Sequence, residues 1–189
     1  TDYHLSAHDP SESFTDRSVA AEAFRDGRVS TLTGALPFDP EAAAALTAPA
    51  RLSRRAGPWR PPAVPTAPAI RSARQQPAPA THRERVRRAV ELLADPDHEL
   101  AKVVLARTLT LEPEPPISPW LLAARLRAAD RSGNVFVTDL SPAGGTRTGH
   151  HLVGSTPEVL IRKRGDIVSC HPLAGSSPRS ADPELDAER

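Results

Sequence analysis

The 189-residue sequence has one cysteine, Cys170, no methionine, and only 4% aromatic residues. A single thiol excludes an internal disulfide, and with it the stapled frameworks of small secreted domains; a reducing, cytoplasmic setting fits. No stretch approaches the roughly 20 consecutive apolar residues that a membrane helix requires. The opening Thr1-Asp2-Tyr3-His4 lacks the basic start and apolar run of a signal peptide. Neither sign of charge dominates. The 24 Lys and Arg against 23 Asp and Glu leave a net charge of +1, which offers nucleic acid or a membrane surface no electrostatic footing. With no methionine to initiate it, the sequence reads as a segment of something longer.

What is present points to a soluble, globular chain. Hydrophobic residues make up 39% and charged residues 25%, and the length suits one domain or one and a half, with a sizeable core. Proline is plentiful and clustered, with Pro58, Pro61, Pro62, Pro65, Pro68, Pro77 and Pro79 in one stretch. Because proline fixes φ and carries no N–H, residues 57–80 read as an extended connector, neither helix nor central strand. This divides the chain into an N-terminal lobe (1–56), the connector (57–80) and a C-terminal region (81–189).

In the lobe, residues 17–28 suggest a short helix ended near Gly27, residues 30–36 a buried strand, and the alanine-rich residues 41–46 one or two helical turns. Further on, Thr81-His82-Arg83-Glu84 has the form of a capping box, and Val86, Ala89, Val90 and Leu93 recur at helical spacing up to Ala94. Residues 102–111 are rich in β-branched side chains and predict a central strand, with Lys102, Val104, Ala106 and Thr108 on one face. Ser118-Pro119 opens a helix to about Asp130. Strands follow over 135–140 and 150–154, separated by a glycine-rich turn at 141–148. A hairpin over 159–162 and 166–170 then turns at Lys163-Arg164-Gly165. Strand pairs with inserted helices make the chain α+β, a mainly antiparallel sheet with helices packed on the outside.

Three segments carry a resemblance. Lys102-Val103-Val104-Leu105-Ala106-Arg107, Gly154-Ser155-Thr156-Pro157-Glu158-Val159-Leu160 and Pro172-Leu173-Ala174-Gly175-Ser176-Ser177-Pro178-Arg179 resemble, in order, three motifs of the chorismate-utilising enzymes. Gly34-Ala35-Leu36-Pro37-Phe38-Asp39 resembles a piece of the N-terminal lobe of isochorismate synthases. The resemblance implies the first half of the chorismate-binding fold, the one typified by anthranilate synthase component I.

The resemblance also implies roles. Lys102 would be the general base that activates water; taken alone, a lysine at a strand edge points to solvent, but one held among Val103, Val104 and Leu105 is partly desolvated and readier to accept a proton. Glu158 would be the general acid for the leaving hydroxyl; taken alone, a carboxylate after a proline turn is a common surface feature, but Pro157 restrains the local backbone and so helps aim the side chain. Ala174, Gly175 and Ser176 would line the substrate pocket, glycine allowing close backbone approach and serine adding a donor, where the plain alternative is a β-turn.

Within the resemblance, Lys102 differs from the Gln general in anthranilate synthases and Ala174 from the Lys of aminodeoxychorismate synthases, which implies water and not ammonia as the nucleophile. That leaves isochorismate synthase, with salicylate synthase or a truncated, non-catalytic chorismate-binding-like domain as alternatives. The resemblance also implies Mg²⁺ as cofactor, on ligands in a C-terminal half beyond Arg189 with none in this segment; a hard cation suits oxygen ligands and a carboxylate substrate. Chorismate and that C-terminal half are the expected partners, and the pathway served would be siderophore (2,3-dihydroxybenzoate or salicylate) or menaquinone biosynthesis.

Other features read as structure. Arg164-Gly165-Asp166 is a hairpin turn. The neighbours His150 and His151 point to opposite faces and make no metal site. Cys170 reads as a packed strand thiol, and the arginines Arg83, Arg85, Arg87 and Arg88 as a solvated helix face.

Overall fold

Two long strands, β1 (Tyr3–Phe14) and β3 (Ala45–Ala56), pair antiparallel from Tyr3↔Ala56 to Phe14↔Leu46. Prolines face each other at Pro10↔Pro49, where neither can donate to the ladder. The register shifts between Pro10 and Glu12, and Asp9 takes a left-handed φ of 53°. Aspartate is among the residues that tolerate this conformation. The Ser11 hydroxyl donates to the Ala48 carbonyl at 2.9 Å and closes the bulge. The short β2 (Thr33–Ala35) lies on the other edge of β3, giving the order β1-β3-β2.

The computed structural model describes residues 3–60, 66, 68–130, 133–172, 180 and 182–187. The chain divides into two units, residues 1–64 with 122–189 and residues 65–121.

In the first unit, helix α1 (Arg17–Arg25) begins at Asp16, whose carboxylate accepts from the N–H groups of Ser18 at 2.7 Å and Val19 at 3.4 Å. That is the N-cap arrangement that satisfies otherwise orphaned donors. Its Ala20 and Ala23 are buried and let the helix close on Phe14, Val29 and Ala48, with Leu32 and Leu46 packed around them. The helix is followed by Gly27, and the Val29 N–H returns to the Ala23 carbonyl at 3.1 Å.

Two expectations fail in this lobe. The strand over 30–36 shrinks to three residues and is not buried. Gly34 explains its position: its φ is +147°, and a Cβ there would stand 1.9 Å from the Ala45 carbonyl oxygen. Residues 41–46 are not helical. The Asp39 carboxylate accepts the Glu41 N–H at 3.0 Å, turning the chain so that Ala44 and Ala45 are buried as β3 begins. Alanine's helix propensity yields here to burial in a strand, as weak local preferences do.

The remainder of this unit holds helix α3 (Pro119–Ala129) from Leu122 on, with Ala123 and Ala124 buried, then two antiparallel pairs. β6 (Asn134–Asp139) pairs with β7 (His151–Thr156), and β8 (Val159–Arg164) with β9 (Ile167–His171). Two short 3-10 turns, Ser141–Ala143 and Gly145–Arg147, join β6 to β7. Arg164-Gly165-Asp166 forms the tip of the second hairpin, with Gly165 at φ 57°. Cys170 is exposed on β9; no packed layer covers that ribbon among the described residues. A five-residue helix, α4 (Pro183–Ala187), lies near the C-terminus.

The second unit pairs β4 (Ala69–Gln76) antiparallel with β5 (Thr108–Glu114), with helix α2 (Pro79–Ala94) between them in sequence. Residues 69–76 thus form a strand inside the proline-rich stretch. It occupies the gap between Pro68 and Pro77, where every residue has an N–H to donate. Helix α2 starts two residues before Thr81, with Pro79 at its first turn and no side-chain cap. Proline's preset φ favours that start. Glu84 does not close a capping box; its carboxylate takes two hydrogen bonds from Arg87, at 3.0 and 2.6 Å. Arg87 and Arg88 also reach Glu91, so this face is the solvated, ion-paired surface its composition suggests.

The central strand expected over 102–111 is the largest difference. Residues 101–107 have no regular structure, and β5 starts only at Thr108 and is almost wholly exposed. The reason is the partner: β4 ends at Gln76, opposite Thr108, and Pro77 cannot extend the ladder. Lys102, Val104, Ala106 and Thr108 therefore do not share a strand face. Every pairing among the described residues is antiparallel, and the chain is α+β.

Candidate active site

Glu158 is half-buried between β7 and β8. It is reached through a short series of constraints. Ladder pairing ends at Asn134↔Thr156, and Pro157 follows. The Glu158 N–H donates to Thr156 Oγ1 at 3.1 Å, and Thr156 Oγ1 lies 3.4 Å from the Glu158 carbonyl oxygen as donor. Asn134 Nδ2 donates to the Thr156 carbonyl at 3.2 Å from across the ladder. The carboxyl-bearing residue is thus attached to the end of a paired strand by a hydroxyl-closed turn.

Lys102 belongs to the other unit. It lies in the irregular segment before β5 and is exposed, as are its neighbours Val103, Val104 and Leu105, Val104 at 82%. The apolar surroundings expected to desolvate the amine are not formed by the described residues. Ala174, Gly175 and Ser176 lie outside the described residues. Among the described residues no three His, Cys, Asp or Glu side chains gather into a group that could hold a metal ion. Among the described residues no helix is long and apolar enough to cross a membrane.

A feature that motif reading missed lies at the far end of the same strand pair. Ser141 Oγ donates to Asp139 Oδ1 at 2.6 Å, the Ser141 N–H donates to the same oxygen at 2.8 Å, and the Gly149 N–H donates to Ser141 Oγ at 2.9 Å. The Ser141 hydroxyl holds the Asp139 carboxyl below its ordinary value. Partial burial opposes this, while the Ser141 N–H and nearby His151 reinforce it. The sequence signal was Asp-x-Ser after a strand, which is a common turn former and so was not singled out. The Ser155 hydroxyl, within the second motif segment, is buried and has no hydrogen-bond partner among the described residues.

Comparison with known proteins agrees with the motif order. A family model described as "Chorismate binding enzyme" matches residues 32–189. The chain is 42% identical over 176 residues to "Putative isochorismate synthase MenF" of Mycobacterium tuberculosis (strain ATCC 25618 / H37Rv), covering 92% of this chain and 46% of that protein. It is 33% identical over 177 residues to isochorismate synthase DhbC of Bacillus subtilis (strain 168), covering 89% and 44%. To isochorismate synthase EntC of Escherichia coli (strain K12) it is 32% identical over 165 residues, covering 83% and 39%. The chain therefore spans less than half the length of these relatives. With the matched region taking in β2 to α4 and all three motif segments, this chain belongs to the chorismate binding enzyme family.

Proposed function

We propose that the protein to which this chain belongs is an isochorismate synthase, converting chorismate to isochorismate. The observation that carries the reading is Glu158, restrained at the end of β7 within Gly154-Ser155-Thr156-Pro157-Glu158, in a chain whose relatives at 42, 33 and 32% identity bear that enzyme's name.

The chemistry is an exchange of hydroxyl positions on a small cyclic diacid. Lys102 accepts a proton from water as the water oxygen bonds to ring C2. The ring double bonds shift, the C4–O bond breaks, and Glu158 gives its proton to the departing hydroxyl, which leaves as water. One water enters and one leaves, so substrate and product are isomers. Hydroxide is a poor leaving group, and a positioned acid and base typically contribute about 10²–10⁴-fold each. Ala174, Gly175 and Ser176 would contact a substrate carboxylate through backbone and hydroxyl donors.

Mg²⁺ is proposed as cofactor, since a hard cation suits oxygen ligands and a carboxylate substrate. The described residues do not supply its ligands, and no step above is routed through it. A C-terminal half of the same protein would hold it. Two features support such a partner segment: the relatives are more than twice the matched length, and apolar side chains lie bare where strands would be expected to find neighbours. Val104 is one. Leu160, Ile161, Ile167 and Val168 on the β8–β9 ribbon are others, at 57–75% exposure. A bare apolar ribbon of this kind is normally covered. The setting is proposed as cytoplasmic and the pathway as siderophore or menaquinone supply.

The test is turnover of chorismate with Mg²⁺ by the complete protein, followed by product chromatography. Isochorismate is expected. Salicylate with pyruvate would identify a salicylate synthase, and no conversion would favour a non-catalytic binding domain. Lys102→Ala and Glu158→Gln should each lower kcat by about 10²-fold or more; unchanged turnover in either removes that residue from the mechanism.

A further inference from the structure

We propose that Thr156 is the positioning residue for Glu158: its hydroxyl, closing a turn around Pro157, sets the direction in which the carboxyl is presented. The inference rests on Glu158 being the acid, and it concerns how that acid is held.

Glu158 stands two residues beyond the last ladder pair, Asn134↔Thr156. The next ladder begins one residue later, at Val159↔His171, so Glu158 sits in the turn between two strand pairs. Pro157 fixes its own φ and biases Thr156 toward extended backbone, but it does not set φ and ψ of Glu158. Those angles set the Cα–Cβ direction, and hence where the carboxyl can reach. Thr156 Oγ1 restrains that turn directly. It accepts the Glu158 N–H at 3.1 Å and faces the Glu158 carbonyl oxygen as donor at 3.4 Å, so one hydroxyl engages both backbone groups of the residue. Side-chain-to-backbone closure over two residues is the turn that Ser and Thr hydroxyls form.

The anchor is itself held. Asn134 Nδ2 donates to the Thr156 carbonyl at 3.2 Å, so the residue carrying the hydroxyl is tied across the strand pair. Two positions back, Gly154 lies under Phe136. By strand alternation Asn134, Phe136, Gly154 and Thr156 share one face of the pair. On that face it is Asn134 that reaches the strand end from which Glu158 departs. A reacting group displaced by about 1 Å can lose on the order of 10²-fold in rate, which makes a hydroxyl at this point consequential without any contact to substrate.

Two variants separate the hydroxyl from the shape of the side chain. Thr156→Val keeps shape and removes both hydrogen bonds; Thr156→Ser keeps the hydroxyl. In the complete protein, Thr156→Val should lower kcat for chorismate by about 10–100-fold with KM changed less than about threefold, and Thr156→Ser should recover activity to within about threefold of wild type. A second readout does not depend on turnover. The Glu158 amide should exchange with deuterium at least about tenfold faster in Thr156→Val, and near the wild-type rate in Thr156→Ser. Unaltered Glu158 exchange in Thr156→Val overturns the inference, as does Thr156→Ser behaving like Thr156→Val in both measurements. If wild type fails to convert chorismate, the catalytic reading falls, while the exchange rates still decide whether Thr156 holds Glu158.

Discussion

The ring of Phe136 lies across the backbone of Gly154, its register partner on β7: a Cβ added to that glycine would meet Cζ at 2.5 Å and Cε1 at 2.8 Å. An aromatic covering a cross-strand glycine protects backbone that has no side chain of its own. The first glycine of the Gly-Ser-Thr-Pro-Glu segment is therefore held by packing, and not by any need for an unusual backbone angle.

Gly154→Ala should accordingly force the Phe136 ring out of its place and cost about 1–3 kcal/mol, the range for overpacking. Denaturant unfolding measures it. In a Phe136→Ala background the same substitution should cost much less, and the difference between the two backgrounds is the coupling. Equal costs in both would mean that the ring is not the obstacle.

Phe14 is the largest side chain of the small cluster formed with α1, at 5% exposure, and the guanidinium of Arg28 stands 5.6 Å from its ring centroid. Its neighbours Ala20, Ala23 and Ala48 have no side-chain length with which to fill a void. Phe14→Ala should destabilise the first unit by about 3–5 kcal/mol, seen as a lower denaturant midpoint. A loss below about 1 kcal/mol would show that the cluster collapses to fill the space.

The Asp139–Ser141–Gly149 closure should be pH-dependent. The Asp139 carboxyl is held below its ordinary value, chiefly by the Ser141 hydroxyl, so the folded state favours the ionised form. Its contribution is complete above the ordinary aspartate range, near 3.8, and is lost as pH falls through the lower folded value. The stability difference between wild type and Asp139→Ala should hold constant from about pH 5 to 7 and shrink below about pH 4. A difference that grows on acidification would contradict the hydrogen-bond assignment.

Local chemistry made much of this chain legible. Gly27 at a helix end, Pro119 at a first turn and Gly165 at a hairpin tip act through contacts only a few residues apart, so pattern alone located α1, α3 and the β8–β9 turn. The ladder Asn134–Asp139 with His151–Thr156 was likewise visible, because its connection is short. Motif order placed Glu158 after a strand and a proline, and the structure adds the Thr156 hydroxyl that sequence spacing could not single out among the many serines and threonines.

What sequence alone determined, then, was family membership, the α+β alternation and the residue types available for proton transfer, because these follow from neighbouring residues and their order. Tertiary structure decided the rest. Val103, Val104 and Leu105 have strand chemistry, yet a strand exists only where another backbone pairs with it, and β4 stops opposite Thr108. Ala44 and Ala45 have helix chemistry, yet they were drawn into the start of β3 by burial. In both cases a propensity of a fraction of a kcal/mol per residue gave way to partners distant in sequence, whose presence or absence no local pattern records.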